Sequence, residues 1–266
     1  MNTATHDAAV LEQYDSRAPA YLASSVHAQG QDLELLASLV GQRPDAIALD
    51  MGCGGGHVAF RLAGLVSKVV ACDLSGAMLD TVAGEARKRG LDNIVTKQSA
   101  AEALPCPSAS FDVVATRYSA HHWGDFKAGL AQMARAMKPD GMAVFMDVVS
   151  PGVPLLDTWL QSLELLRDPS HVRNASLAEW RATLAAVGFE VGDVHTYQLR
   201  LAFGPWIERM RTPEVHAAAI RSLQQRASSE VRDHFRIEDD GSFTVDTALI
   251  VARKMVSEAD PGAPAD

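Results

Sequence analysis

The sequence predicts an open α/β fold, a doubly wound and mostly parallel sheet covered by helices on both faces. Three observations lead there. Short apolar runs alternate with stretches whose apolar residues recur every three or four positions. The first run stops at a glycine cluster and the second at an aspartate. A chain of 266 residues is long enough for such a sheet to stand as one domain.

Residues 1–30 are polar and irregular, with Tyr14 and Tyr21 at a spacing that two helical turns would bring to one side. From Gln31, the pattern DLELLASLV sets Leu33, Leu36 and Val40 on one face of a helix that Gly41 ends. Ala46 to Asp50 and Lys68 to Asp73 read as buried strands. Met78, Leu79, Val82, Ala83 and Ala86 repeat at helical spacing, as do Phe126, Leu130, Met133 and Met137. Ile94 to Lys97, Phe111 to Thr116 and Met142 to Val148 are further strands, the last preceded by a turn over Lys138, Pro139, Asp140 and Gly141. Five strands separated by helices imply a parallel sheet with both faces buried.

Beyond Pro151 helical stretches take over: Leu155 to Arg167, then Ser176 to Val187, where Ser176 and Glu179 fit a capping box. Phe189 to His195 and Phe243 to Ala252 are the last two strands, with a helical insertion around Pro213 to Ser228 between them. The plan is a single domain over 1–256: an N-terminal lid and first helix in 1–40, a nucleotide-binding core in 46–150, a helical cap and sixth strand in 151–235, and a last strand in 243–254. The small, polar, proline-containing end, residues 257–266, reads as disordered.

Composition narrows the partners. With 47% hydrophobic and 21% charged residues and no apolar run long enough to span a bilayer, a membrane protein is not expected. The start MNTATHDAAV lacks the basic and apolar segments of a secretory signal, so a cytoplasmic location is expected. A net charge of −9 opposes nucleic-acid binding, which Lys and Arg drive by neutralising phosphates. Three cysteines without CxxC spacing read as reduced thiols.

The segment Asp50-Met51-Gly52-Cys53-Gly54-Gly55-Gly56-His57 places glycines where a strand turns sharply into a helix with its backbone against a ligand. Asp73, ending the next strand, is placed to accept ribose hydroxyls. A dinucleotide-binding oxidoreductase is the rival: read from Gly52 the fingerprint fails at His57, but read from Gly54 it reaches Ala59. Asp50 discriminates, because a carboxylate there would repel a pyrophosphate and attract a sulfonium or an α-amino group. The ligand expected is a cationic nucleoside.

DMGCGGG, the acid in ACDLS, the stretch AEALPCPSASFDVV and the turn KPDG resemble the successive motifs of class I S-adenosylmethionine-dependent methyltransferases. RYSAHHW and LRDPSHVRNASLAEW resemble the bacterial branch related to ubiquinone and menaquinone biosynthesis. The resemblance implies a seven-stranded sheet whose last two strands form an antiparallel edge, with a helical cap between strands five and six. It implies that Gly52, Gly54 and the turn backbone contact the methionine part of S-adenosylmethionine, that Asp73 binds the ribose, that Leu74 packs on the adenine, and that the backbone around Ala101 meets the ring edge. The acid that many relatives carry before that alanine is Ala100 here, and Glu102 or a backbone carbonyl is the substitute expected. Arg117, at the start of the next motif, is expected to face the cofactor, and Tyr21 or Tyr14 to cover it. The product would be S-adenosylhomocysteine.

Methyl transfer rests first on alignment and exclusion of water; a base is needed only for acceptors that arrive protonated. His121 and His122 are the candidates for that base, with Tyr118 beside them facing the acceptor. One of the two adjacent histidines can instead cap the following helix or pack on Trp123. Arg167, His171 and Arg173 gather where the first cap helix ends and suit a substrate carboxylate or phosphate, against the plainer reading that they answer a helix dipole and pair with Asp168. His27, in the N-terminal segment, is a third and weaker acceptor-side candidate, against the plainer reading of a surface histidine in a polar loop. The four tryptophans, Trp123, Trp159, Trp180 and Trp206, read mostly as core, with Trp180 and Trp206 also suiting the wall of an aromatic or apolar acceptor site. Asp147 lacks the clustered carboxylates that a metal would need, so no metal is expected. The partner expected is a small-molecule acceptor, with a monomer or homodimer doing the work. Carboxyl O-methylation is the closest alternative to N- or C-methylation, and a catalytically silent binding module is a further one.

Overall fold

The computed structural model describes residues 5–18, 22 and 30–255. Tyr21, His27 and the tail expected to be disordered lie outside the described residues. Seven strands form one sheet in the order β3-β2-β1-β4-β5-β7-β6. They are β1 (Arg43–Met51), β2 (Val66–Asp73), β3 (Ile94–Gln98), β4 (Phe111–Arg117), β5 (Met137–Val148), β6 (Phe189–Leu201) and β7 (Phe243–Lys254). The first five pair in parallel, β7 pairs antiparallel with both β5 and β6, and so among the described strands β7 alone runs against the rest. The sheet is therefore the mostly parallel α/β sheet expected, with the antiparallel edge made by inserting β7 between β5 and β6.

Ten helices accompany the sheet among the described residues: α1 (His6–Tyr14), α2 (Gln31–Val40), α3 (His57–Ala63), α4 (Gly76–Arg89), α5 (Phe126–Ala136), α6 (Pro154–Arg167), α7 (Leu177–Ala186), α8 (Phe203–Met210), α9 (Glu214–Gln225) and α10 (Ser229–Phe235). Leu33, Leu36, Leu62, Leu79 and Val82 from α2, α3 and α4 bury one sheet face, and Leu130, Met133, Trp180 and Leu184 from α5 and α7 bury the other. Strand residues such as Ala48, Val69 and Val113 are fully buried, as the continuous apolar runs require of a sheet covered on both sides. A third cluster, with Leu160, Leu163, Trp206, Ile220 and Phe235, ties the cap helices to the ends of β6 and β7. The capping box of Ser176 and Glu179 starts α7 as its spacing predicts. No described helix is long and apolar enough to cross a membrane.

Two local expectations are corrected. The polar N-terminal stretch contains the helix α1, which buries none of its residues and so left no apolar stripe to read. The turn from Lys138 to Gly141 does not precede β5 but lies inside it. Met137 pairs with Phe111 and Met142 with Val113, so the intervening residues are extra chain looped out of a continuous pairing.

Candidate functional site

The carboxyl ends of β1, β2, β4 and β5 converge where the strand order reverses between β1 and β4, the place at which an open α/β sheet offers a crevice. Gly52, Gly54 and Gly56 hold positive φ angles of 66°, 47° and 84° through the turn. A Cβ on Gly52 would stand 1.9 Å from Ser119 Oγ, and one on Gly56 2.8 Å from Val82 and 2.9 Å from Phe60. Those two glycines let the protein pack against itself. A Cβ on Gly54 would meet nothing within 4 Å, so the bare backbone there faces the open cleft.

Two carboxylates bracket the turn. Asp73 accepts the N–H of Gly54 at 2.8 Å and that of Ser75 at 2.9 Å, so this acid fixes the turn. Asp50 is 1% exposed and accepts the N–H of Ala59 at 3.0 Å. Burial, reinforced by the charge of Asp73, pushes its carboxyl up to about 7 against the pull of the Ala59 N–H and Arg117. Burial likewise raises Asp73. A cation in this cleft would relieve both.

The cleft encloses about 1010 Å³ counted out to its mouth and is lined by Asp50, Gly52, Gly54, Asp73, Leu74, Ala101, Glu102, Arg117, Tyr118 and His122, together with Tyr14 from α1. Nearly all the residues expected at the cofactor thus border one space. Two have commitments of their own. Glu102 accepts the N–H of Asp125 at 3.0 Å, and the Arg117 guanidinium grips Asp32 at 2.5 and 3.1 Å in a buried pair that fixes α2 against β4.

A second cavity of about 550 Å³ lies under the cap, bordered by His121, Glu164, Arg167, Asn174, Trp206 and Arg209 among others. Tyr14, Tyr118 and His122 border both spaces and form the partition between them. Tyr118 keeps its place through a left-handed backbone at φ 50°, a costly conformation for a tyrosine, with its ring under Arg117 and its hydroxyl bonded to Thr247.

The adjacent histidines divide the work. His121 Nδ1–H donates to Asp147 Oδ1 at 2.6 Å, and among the described residues no group hydrogen-bonds its Nε2. Burial alone would lower its pKa, but the charge and hydrogen bond of Asp147 outweigh burial and raise it. His122 Nδ1–H donates to the Ser170 carbonyl at 3.1 Å. The Tyr14 hydroxyl donates to Asp168 Oδ2 at 2.9 Å and lies 2.7 Å from His122 Nε2. Burial and neighbouring His121 push His122 down to about 4.

Not every expected residue arrives. Arg173, expected to hold an acceptor, points out of the fold, pairs with Asp157 at 2.9 Å and Glu179 at 3.1 Å, and borders neither cavity. Its partner Glu179 is the capping-box acid, which is why a charge cluster in the sequence becomes a surface clasp in the fold. His171 stands behind the other two histidines and bonds Gln161 Oε1 at 2.8 Å, also outside both cavities. Trp180 lies in the core beside Phe126 and Phe145, whereas Trp206 walls the second cavity. Asn174 gave no signal in the sequence, and Asp147 was read only for a metal; a carboxylate ending a strand next to a His-bearing loop is the pattern that would have linked it to His121. Among the described residues no three His, Cys, Asp or Glu side chains are grouped to hold a metal ion.

Comparison with known proteins agrees with this architecture. A family model described as a methyltransferase domain matches residues 49–145. The chain is 48% identical to the uncharacterized protein YafE of Escherichia coli K12, over 76% of this chain and 98% of that protein. It is 34% identical to the uncharacterized methyltransferase YcgJ of Bacillus subtilis, over 84% of this chain and 88% of that one. The crystal structure of YcgJ superposes with a TM-score of 0.82, covering 85% of this chain and 99% of its own, and a Bacillus halodurans protein 28% identical does so with the same score, covering 85% and 100%.

Proposed function

The chain belongs to the S-adenosylmethionine-dependent methyltransferases, and from that premise we propose that it transfers a methyl group to a small molecule seated beneath the helical cap. The observation that carries the cofactor assignment is Asp50, a buried carboxyl held at about 7 on the same cleft as Gly54, where an added side chain would meet no protein atom. A dinucleotide would bring a pyrophosphate to that acid; a sulfonium and an α-amino group bring the charge it lacks.

Asp50 and the backbone of Gly52 and Gly54 hold the methionine end in this reading. Asp73 accepts the ribose hydroxyls while keeping its bonds to the turn, Leu74 packs on the adenine, and Ala101 and Glu102 lie at the ring edge. S-adenosylmethionine, when bound, supplies an electrophilic methyl on a positively charged sulfur. The protein's contribution is to align the acceptor, exclude water and hold protons where they are wanted. Tyr14, Tyr118 and His122 are the wall across which donor and acceptor meet.

Carboxyl O-methylation loses support as an alternative. Arg173 is outside the site, and Arg167 is paired with Glu164 at 3.3 Å and bonded to the Trp206 carbonyl at 3.1 Å. Calorimetry with S-adenosylhomocysteine and with NAD tests the cofactor assignment: micromolar binding of the first, silence from the second, and loss of affinity in Asp73→Ala are expected. A protein that ignores S-adenosylhomocysteine would sink it.

A further inference from the structure

Arg17 stands just past α1 and is 9% exposed. Taking a guanidinium that far out of water is costly unless hydrogen bonds replace the water. Its fork divides between two carbonyls at the carboxyl ends of two helices. Nη1 donates to Gln13 in the last turn of α1, and Nη2 donates at 2.8 Å to Met210, the last residue of α8. Helix ends leave such carbonyls unsatisfied and partially negative, so a buried cation suits the place between them. The last turn of α1 holds no basic residue, and Arg17 supplies one from outside it. A guanidinium presents separate N–H groups in fixed directions, whereas an ammonium is a single point of charge. One side chain thus joins two helices at their ends.

The two helices serve different spaces. α1 lends Asp7, Val10 and Tyr14 to the cofactor cleft, and Asp15 beyond it accepts the Ser75 hydroxyl at 2.5 Å, while the Ser75 N–H donates to Asp73 at 2.9 Å. α8 carries Trp206 and Arg209 into the wall of the cavity beneath the cap, and neither borders the cofactor cleft. The Trp206 carbonyl accepts Arg167 Nε at 3.1 Å, which extends the link to α6. Because α1 buries no residue of its own, a ligand filling the cleft against Val10 gives this helix the apolar contact it lacks. A helix steadied in that way fixes the Gln13 carbonyl and, through Arg17, the end of α8.

We propose that Arg17 is a positioning residue of methyl transfer: it relays occupancy of the cofactor cleft to the Trp206 wall, so that the acceptor cavity takes its working shape once the donor is seated. Arg17 itself borders neither space. The coupling is reciprocal, and an acceptor in the cavity tightens the donor by the same factor. Alignment of the two reactants, which methyl transfer needs first, is then established only around bound donor. This assignment rests on the methyltransferase reading.

The test is magnetic resonance of the tryptophan indole N–H groups during titration with S-adenosylhomocysteine. Trp123 borders the cofactor cleft and reports binding; Trp206 borders only the other cavity and reports the relay. Both signals should shift in the wild type. In Arg17→Ala the Trp123 shift should persist, showing folded protein with ligand bound, while the Trp206 shift is lost and affinity by calorimetry falls about fivefold. Arg17→Lys restores the charge without the fork, so Trp206 should respond less than in the wild type and Trp123 fully. A wild-type Trp206 that ignores the ligand, or one that answers it equally in the Arg17 variants, overturns the proposal. Loss of the Trp206 response in Tyr14→Phe but not in Arg17→Ala would place the relay in the tyrosine instead and overturn it as well. A wild-type Trp123 that does not move fails at the earlier step of cofactor binding, so the two failures are distinguishable.

Discussion

His121 and His122 are successive residues whose rings sit 4.3 Å apart and whose protonation is driven in opposite directions. Asp147 holds the first above the ordinary histidine value. Burial and the charge of the first push the second down to about 4. Two adjacent histidines thus supply one ring that takes protons and one that stays neutral and holds Tyr14.

The pair fixes how stability changes with acid. His122 is neutral in the fold down to about pH 4, while the unfolded chain protonates it near 6.5, so stability falls as pH drops through that window. His171, pushed down to about 2 by burial and by the other two histidines, adds to the fall. His121 works the other way: its contribution is complete below 6.5 and is lost as pH rises through its folded value. Urea unfolding of His122→Gln should show lower stability at pH 7 and a shallower loss between 6.5 and 4 than the wild type.

Asp50 trades stability for affinity. Its carboxyl keeps a proton in the fold up to about 7 that the unfolded chain releases near 3.8, so stability is lost as pH rises between those values. Asp50→Asn should therefore be more stable at neutral pH, by about 0.5–2 kcal/mol, and bind S-adenosylmethionine more weakly. Wild-type affinity should rise with pH through about 7 while that of the variant stays flat. Calorimetry across pH, with denaturation at each point, measures both; a wild type with flat affinity would show that Asp50 does not meet the cation.

The turn glycines separate binding from folding. Gly54→Ala adds a methyl that meets nothing in the protein, so its thermal midpoint should drop by only a few degrees while S-adenosylhomocysteine affinity falls at least tenfold. Gly56→Ala forces a Cβ onto Val82 and Phe60 at a φ of 84° and should lose about 1–3 kcal/mol of stability. Equal effects of the two changes on both readouts would refute this division.

Two arginines should behave unlike their sequence reading. Arg173→Ala removes an exposed clasp and should leave acceptor KM unchanged, with less than about 1 kcal/mol lost. Arg117→Ala strands Asp32 in a buried site and should cost about 3–5 kcal/mol. Chemical denaturation with steady-state kinetics checks both.

The sheet and the turn were legible because both depend on local signals. Runs such as those ending at Asp50 and Asp73 announce buried parallel strands, and glycines between them announce a close backbone approach. The acceptor side was legible only in part. His121 and His122 stood out as chemistry-bearing residues at a strand end, but their division of roles depends on Asp147, Asp168 and Ser170, which distant segments deliver. Arg173 misled for the same reason, since charge clusters in a sequence do not reveal which members pair with one another. Helix α1 leaves no signal in the sequence because it buries no residue and its apolar positions form no stripe.

That helix has a dynamic consequence. It buries no residue of its own and stays in place through His6 to the His122 carbonyl at 2.8 Å and Tyr14 to His122 and Asp168, with Asp15 just beyond it receiving the Ser75 hydroxyl at 2.5 Å. A segment held by hydrogen bonds without burial belongs to the low end of the local unfolding scale. Its amide hydrogens should exchange with solvent well before those of the sheet, and transient loss of this one helix would withdraw Tyr14 from between the two cavities while Tyr118, His122 and the core stay in place.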